Sequence, residues 1–227
     1  MAVKIDTDAL IYSIIMREQA GDPVAPPAGY WQLYIKAGGL YIIDDAGNVA
    51  GPFVDGSTSV GWELIAETIL GAPGAVTFNA IPNTYRKLRV EITGRSAVVA
   101  ASDTCALRLG NGGVDAGANY TYMVRREGIV AAQSQSTADN EIEGCVIPGA
   151  NAAANYFGQL VFEIFNYKDA AMWKTILVQG GHTDAAGYRT YFGVGSWKNI
   201  AVCDTVYVFG LAANLVAGTI VRLYGAT

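Results

Sequence analysis

His182 is the only histidine in the 227 residues, so any nucleophile–base pair would have to be built on it. It stands in Gly180-Gly181-His182-Thr183-Asp184-Ala185-Ala186-Gly187, which reads as a flexible turn between strands. Catalysis would need a second group to hold the ring and a Ser, Cys or Thr facing it, and no sharp strand-to-helix elbow presents such a residue. Glu141 and Glu143 alternate on one strand pattern and share a face, with Glu163 on a later strand. An i, i+2 spacing places carboxyls about 7 Å apart, inside the roughly 5–9.5 Å window of glycoside hydrolysis. A solvent-facing pair on any sheet has the same spacing without activity. Asp44-Asp45 read as solvated turn residues.

The remaining surface chemistry is aromatic. Tyr188, Tyr191, Phe192 and Trp197 lie close in sequence, with His182 and Asp184 just ahead of them. Tyr and Trp faces stack on sugar rings while acids and amides read hydroxyls, which makes His182, Asp184, Tyr188, Tyr191 and Trp197 the candidate glycan contact. The competing reading is that an aromatic-rich strand fills a core or an interface. The segment 110–117, Gly-Asn-Gly-Gly-Val-Asp-Ala-Gly, lacks the spacing of a phosphate loop and has no helix after it; it reads as a loop whose glycines permit positive φ. Cys105, Cys145 and Cys203 are widely spaced in apolar or small-residue stretches and are expected to be buried, reduced thiols. With one histidine and no CxxC, a zinc site has too few ligands. No catalytic, cofactor-binding or metal-binding residues are therefore assigned, and no cofactor is expected.

Residues are 15% charged and 52% hydrophobic, with 27 glycines, against about 25% charged in an ordinary domain. A subunit of an oligomer or shell accounts for this more simply than a monomer, because interface cores are depleted in charge. A net charge of −5 argues against a nucleic-acid partner, since phosphate binding needs clustered Lys and Arg. The absence of a run of 18 apolar residues argues against a membrane-spanning helix. Residues 1–8 do not read as a secretory signal.

Three zones position these groups. Residues 1–28 hold a short segment in which Leu10, Ile11, Ile14 and Ile15 share one face of a helix capped by Thr7 or Asp8, a strand being the alternative. Pro23, Pro26 and Pro27 follow as an extended linker. So short an apolar face must dock on something else. Residues 29–54 read as a hairpin: 31–36 alternate, Gly38-Gly39 turn, and 40–43 run back. Residues 60–227 carry strand patterns at 62–69, 75–80, 87–93, 104–109, 120–126, 141–146, 155–165, 174–179, 188–197, 205–211 and 219–224. Loops are expected at 110–119, 131–140 and 180–187. Many short strands at this spacing predict an all-β fold, an antiparallel β-sandwich of jelly-roll type. The last strand, 219–224, is expected to close a sheet beside 60–68.

The opening WELIAETILGAPGAVTFNAIPNTY (62–85) and closing ANLVAGTIVRLYGAT (213–227) resemble the first and last strands of β-sandwich modules in bacteriophage tail-fibre, head-fibre and capsid-decoration proteins. GYWQLYIKAGGLYIIDDAGNVAGPF (29–53) resembles the small hairpin module that, in phage fibre and baseplate proteins, follows a virion-attachment peptide. The resemblance spans about residues 29–227. It implies a virion structural protein assembled in the host cytoplasm and working as a homotrimer. The segment around Leu10, Ile11, Ile14 and Ile15 would anchor it to capsid or tail proteins, and the sandwich would project outward for particle stabilisation or host attachment, with a host-surface glycan as candidate ligand. The alternative is a carbohydrate-binding module or a tailspike-type glycan hydrolase.

Overall fold

The computed structural model describes residues 18–36, 39–53, 61–128, 132–184 and 187–226. The chain forms two units, Met1–Ser59 and Val60–Thr227. Among the described residues the helices and strands are all strands.

In the first unit β1 (Glu18–Gln19), β2 (Gln32–Lys36), β3 (Gly39–Ile43) and β4 (Val49–Phe53) make one sheet in chain order. The expected hairpin is β2–β3, with Lys36 opposite Gly39, so the second strand starts one residue early. Asp44 builds the next turn: its carboxylate accepts from Ala46 N (3.0 Å), Asn48 N (2.7 Å) and Asn48 Nδ2 (2.8 Å). Those bonds, the Asn48 amide first, hold its carboxyl below the ordinary value. Asp45 accepts from Gly29 N at 2.6 Å. Both acids are turn residues. Glu18 and Gln19 pair in parallel with Ile35 and Lys36, so the end of the N-terminal segment joins the hairpin's sheet.

The second unit contains β5 (Trp62–Ile69), β6 (Val76–Phe78), β7 (Lys87–Gly94), β8 (Ser102–Gly110), β9 (Tyr120–Gly128), β10 (Ala132–Asp139), β11 (Ile142–Pro148), β12 (Gly158–Phe165), β13 (Lys174–Asp184), β14 (Gly187–Trp197), β15 (Thr205–Gly210) and β16 (Ile220–Ala226). They form an antiparallel β-sandwich of an eight-stranded sheet, β10-β9-β14-β13-β12-β7-β16-β5, and a four-stranded sheet, β11-β8-β15-β6. The closing strand does lie beside the opening one, with Val221 opposite Thr68 and Ala226 opposite Trp62. Alternation explains the layers. In β7, Leu88, Val90 and Ile92 point inward and are fully buried, while Lys87, Arg89 and Glu91 point out. Phe162 and Val178 meet Leu107, Cys145 and Val208 of the small sheet in a single core.

Two expected loops are strands. Residues 132–139 form β10, an edge strand whose AQSQSTAD sequence lacks apolar alternation because the strand is largely solvated. Residues 180–184 continue β13, and 187 opens β14. The glycines there serve close approach instead of a turn. A Cβ on Gly180 would lie 2.4 Å from Gln159 O and 3.0 Å from Cys145 Sγ, and one on Gly195 would lie 2.6 Å from Ile142 Cδ1. Bare backbone at these points lets the small sheet settle against the large one.

Candidate functional site

The structure does not gather the five candidate glycan residues into one site. Tyr188 and Trp197 sit nine positions apart on β14, about 30 Å at roughly 3.3 Å per residue, too far for one sugar unit. Trp197 is 1% exposed, and its Nε1 donates to Asp115 Oδ2 at 2.7 Å. It locks the 111–119 loop onto the sheet and offers no stacking face. His182 and Tyr191 are brought together, ring centroids 6.5 Å apart and 15° from parallel, with Tyr156 edge-on to His182 at 6.5 Å. Both are buried and point into the sandwich. Burial pushes the Tyr191 hydroxyl up, against the pull of Arg189 and Arg126. The backbones of Asp184 and Tyr188 lie at the end of the β13–β14 hairpin. The surface patch expected from sequence is thus, for His182, Tyr191 and Trp197, interior packing: β14 alternates, so the odd-numbered Tyr191 and Trp197 fall on its inner side, and His182 of β13 faces inward beside Tyr191. Leu10, Ile11, Ile14 and Ile15 lie outside the described residues.

The carboxylates also have separate duties. Glu141 is buried and accepts from Arg108 Nη2 at 2.8 Å. Glu143 accepts from Ser134 Oγ at 2.7 Å, tying β11 to β10 where the two sheets' edges meet. Glu163 pairs with Lys87 at 3.0 Å. Asp103, buried, accepts from Ser96 Oγ (2.6 Å) and from the amides of Ala212 (3.1 Å) and Ala213 (3.2 Å), fastening the β15–β16 connection. Asp115 is raised by burial, but hydrogen bonds from Trp197, Gly117 and Asn119 outweigh this and hold it below the ordinary value. Lys174 is fully buried, and its Nζ donates to the carbonyls of Asp169, Met172 (2.8 Å) and Ile200 (3.2 Å); burial lowers its pKa while Asp169 opposes the change. All three cysteines are free and buried, and burial raises each thiol, Cys203 to about 11. Among the described residues no group of three or more His, Cys, Asp or Glu is placed to hold a metal ion.

What the sequence reading missed is a surface. The outer side of the small sheet is closed by its own side chains. Arg108 lies 4.7 Å from the Phe209 ring centre, Phe209 stacks on Tyr207 at 5.0 Å, and Ala106 beneath them is fully buried. The outer side of the large sheet is open. Phe192 is 64% exposed, Met123 46% and Val194 39%, and Val194 stands directly opposite Met123 and Leu177 in the ladder. Beside them a groove of about 590 Å³ runs along β10, β9 and β14, edged by Gln135, Thr137, Thr121 and Ser196. The even-numbered apolar positions of β14 were the signal: they fill the face opposite the buried aromatic series. Comparison with protein-family models, curated proteins and solved structures gives no match to this chain.

Proposed function

We propose that this chain is a non-enzymatic structural subunit of a bacteriophage particle, a fibre or decoration protein that self-associates, is anchored through its N-terminal segment and presents its β-sandwich outward. One observation carries the reading: the wide, uncovered outer face of the eight-stranded sheet, with Phe192, Met123 and Val194 exposed, on a chain with only 15% charged residues. Such a face is suited to being covered by a protein surface. The resemblance of residues 29–53, 62–85 and 213–227 to phage modules supplies the setting. Two further features support a structural role. The buried acids and Lys174 each hold backbone or pair with one partner, an investment in rigidity. The hairpin unit is also small for an independent fold, and subunits sharing an axis would cover its exposed Trp31 and Tyr30. The sugar-binding alternative drew on stacking rings, and two of its three aromatic residues, Tyr191 and Trp197, lie in the core.

The test is location. Antibodies raised against the sandwich should label purified particles at one structural feature, and particles lacking the chain should lose either stability or adsorption. Labelling confined to the soluble fraction of infected cells, or release of reducing sugars from host glycans by the purified chain, would overturn the reading.

A further inference from the structure

We infer that the outer face of the eight-stranded sheet, centred on Phe192, Met123 and Val194, is where copies of this chain meet. This deepens the proposed reading and rests on its self-association. Three observations select a second copy as the occupant.

The face is charge-neutral within itself. Among the described residues it carries Lys87, Arg89, Arg125 and Arg222, and each is paired with an acid: Lys87–Glu163 at 3.0 Å, Arg89–Glu91 at 3.0 Å, Arg125–Glu127 at 2.6 Å and Arg222–Glu67 at 2.5 Å. Four cations against four anions leave no net charge here, although the chain carries −5. A strongly acidic or basic partner gains nothing from such a surface. A copy of the same chain meets no like-charge repulsion on it, which is the condition a self-complementary contact must satisfy.

The apolar positions are contiguous. Phe192 and Val194 are two apart on one face of β14, Met123 opposes Val194 from β9, and Leu177 opposes it from β13. That cluster has polar and ion-paired surroundings, the arrangement of an interface core within its rim. The extent also fits: eight strands at about 4.8 Å spacing and about 26 Å in length give on the order of 1000 Å², against roughly 800 Å² per partner in a standard stable interface. On the other outer face Arg108, Phe209 and Tyr207 cover one another.

The experiment is sedimentation equilibrium of the full chain at micromolar concentration, for the wild type, Phe192→Asp, and Val99→Asp as a control. Val99 is apolar and exposed but lies outside any strand. The wild type should be an oligomer, Val99→Asp should match it, and Phe192→Asp should weaken association at least 100-fold. An unchanged near-ultraviolet signal from the Trp197 environment would establish that the variant is folded. A folded Phe192→Asp that assembles like the wild type removes the face from the interface and leaves self-association standing. A monomeric wild type sinks both. If Phe192→Asp misfolds, Met123→Cys decides, since the native cysteines are buried: a short bismaleimide should join subunits through position 123, and an oligomer that fails to cross-link there overturns the inference. Unchanged assembly combined with lost binding of Phe192→Asp to host-surface glycan would give the face to a sugar instead.

Discussion

The two outer faces of the sandwich use similar residues to opposite ends. On the small sheet, Arg108 is folded back over Phe209, held by Glu141 at 2.8 Å and by the Asn140 carbonyl at 3.0 Å, so that a cation, an acid and two rings make a lid over Ala106. On the large sheet, Lys87 and Arg89 also lie over a ring, Trp62, at 4.7 and 5.5 Å, but Arg125, directly opposite Phe192, pairs with Glu127 at 2.6 Å, and Phe192 and Met123 stay exposed. An arginine that folds over a ring hides apolar area, whereas one that only pairs with an acid cancels charge. The first finishes a surface and the second prepares one.

That contrast can be broken at its base by Gly180→Val, which crowds β13 against β12 and against Cys145 of the small sheet. The added carbons would meet Gln159 O, the Leu160 Cα and Cys145 Sγ, mostly backbone that cannot give way, and the cost should be about 3 kcal/mol or more in urea unfolding. A mild effect would mean that this close approach is adjustable.

The sharper comparison sets Arg108→Ala against Arg222→Ala. Removing Arg108 strands the buried Glu141 carboxylate and uncovers Phe209, and should cost about 2–3 kcal/mol. Removing Arg222, whose partner is solvated, should cost no more than about 0.5 kcal/mol. Equal losses in paired urea melts would erase the distinction between the two faces.

Asp115→Asn tests the clasp at the end of β14. Losing the charge-assisted bond from Trp197 should cost about 1.5 kcal/mol at neutral pH. The native carboxyl ionises more readily than the unfolded one, so its contribution is fully present above about pH 4. It disappears as the pH falls below 3.8 toward the lower native value. Wild-type Tm should therefore drop over that acid range and the Asn variant should lose less. Parallel profiles would remove Asp115 from the acid response.

The smallest effect is kinetic. Because burial raises all three thiols, native protein should react with a disulfide reagent only at the rate of unfolding, at any pH up to about 9. Rapid modification of one thiol per chain would show that part of the core opens.

Much of the sandwich was legible in the residues. Strand 87–94 announces itself by alternation between apolar and charged side chains, and that pattern survives into the structure residue for residue. The partnership of 219–224 with 60–68 followed from the position of the last strand alone. The errors share a cause. Gly180 and Gly181 were expected in a turn, and Gln133, Ser134 and Ser136 in a loop, because glycine and small polar residues are usually read as punctuation. In the structure glycine permits layers to touch, and a solvated edge strand needs no apolar side. The candidate glycan site failed for a related reason: an aromatic strand has two faces, and sequence spacing says which residues share one without saying which one faces water.

Sequence by itself determined the all-β class, the alternating core of β7, β12 and β16, the turn role of Asp44 and Asp45, and the low charge that calls for a covered surface. These are local properties, set by side-chain size and period along a strand. Only the tertiary structure decided that Trp197 and Tyr191 turn inward while Phe192 and Val194 turn outward, that Glu141 serves Arg108 and Glu143 serves Ser134, and that one outer face is sealed and the other bare. Those outcomes depend on which strands become neighbours across the sandwich, and side chains distant in sequence meet only after that choice is made.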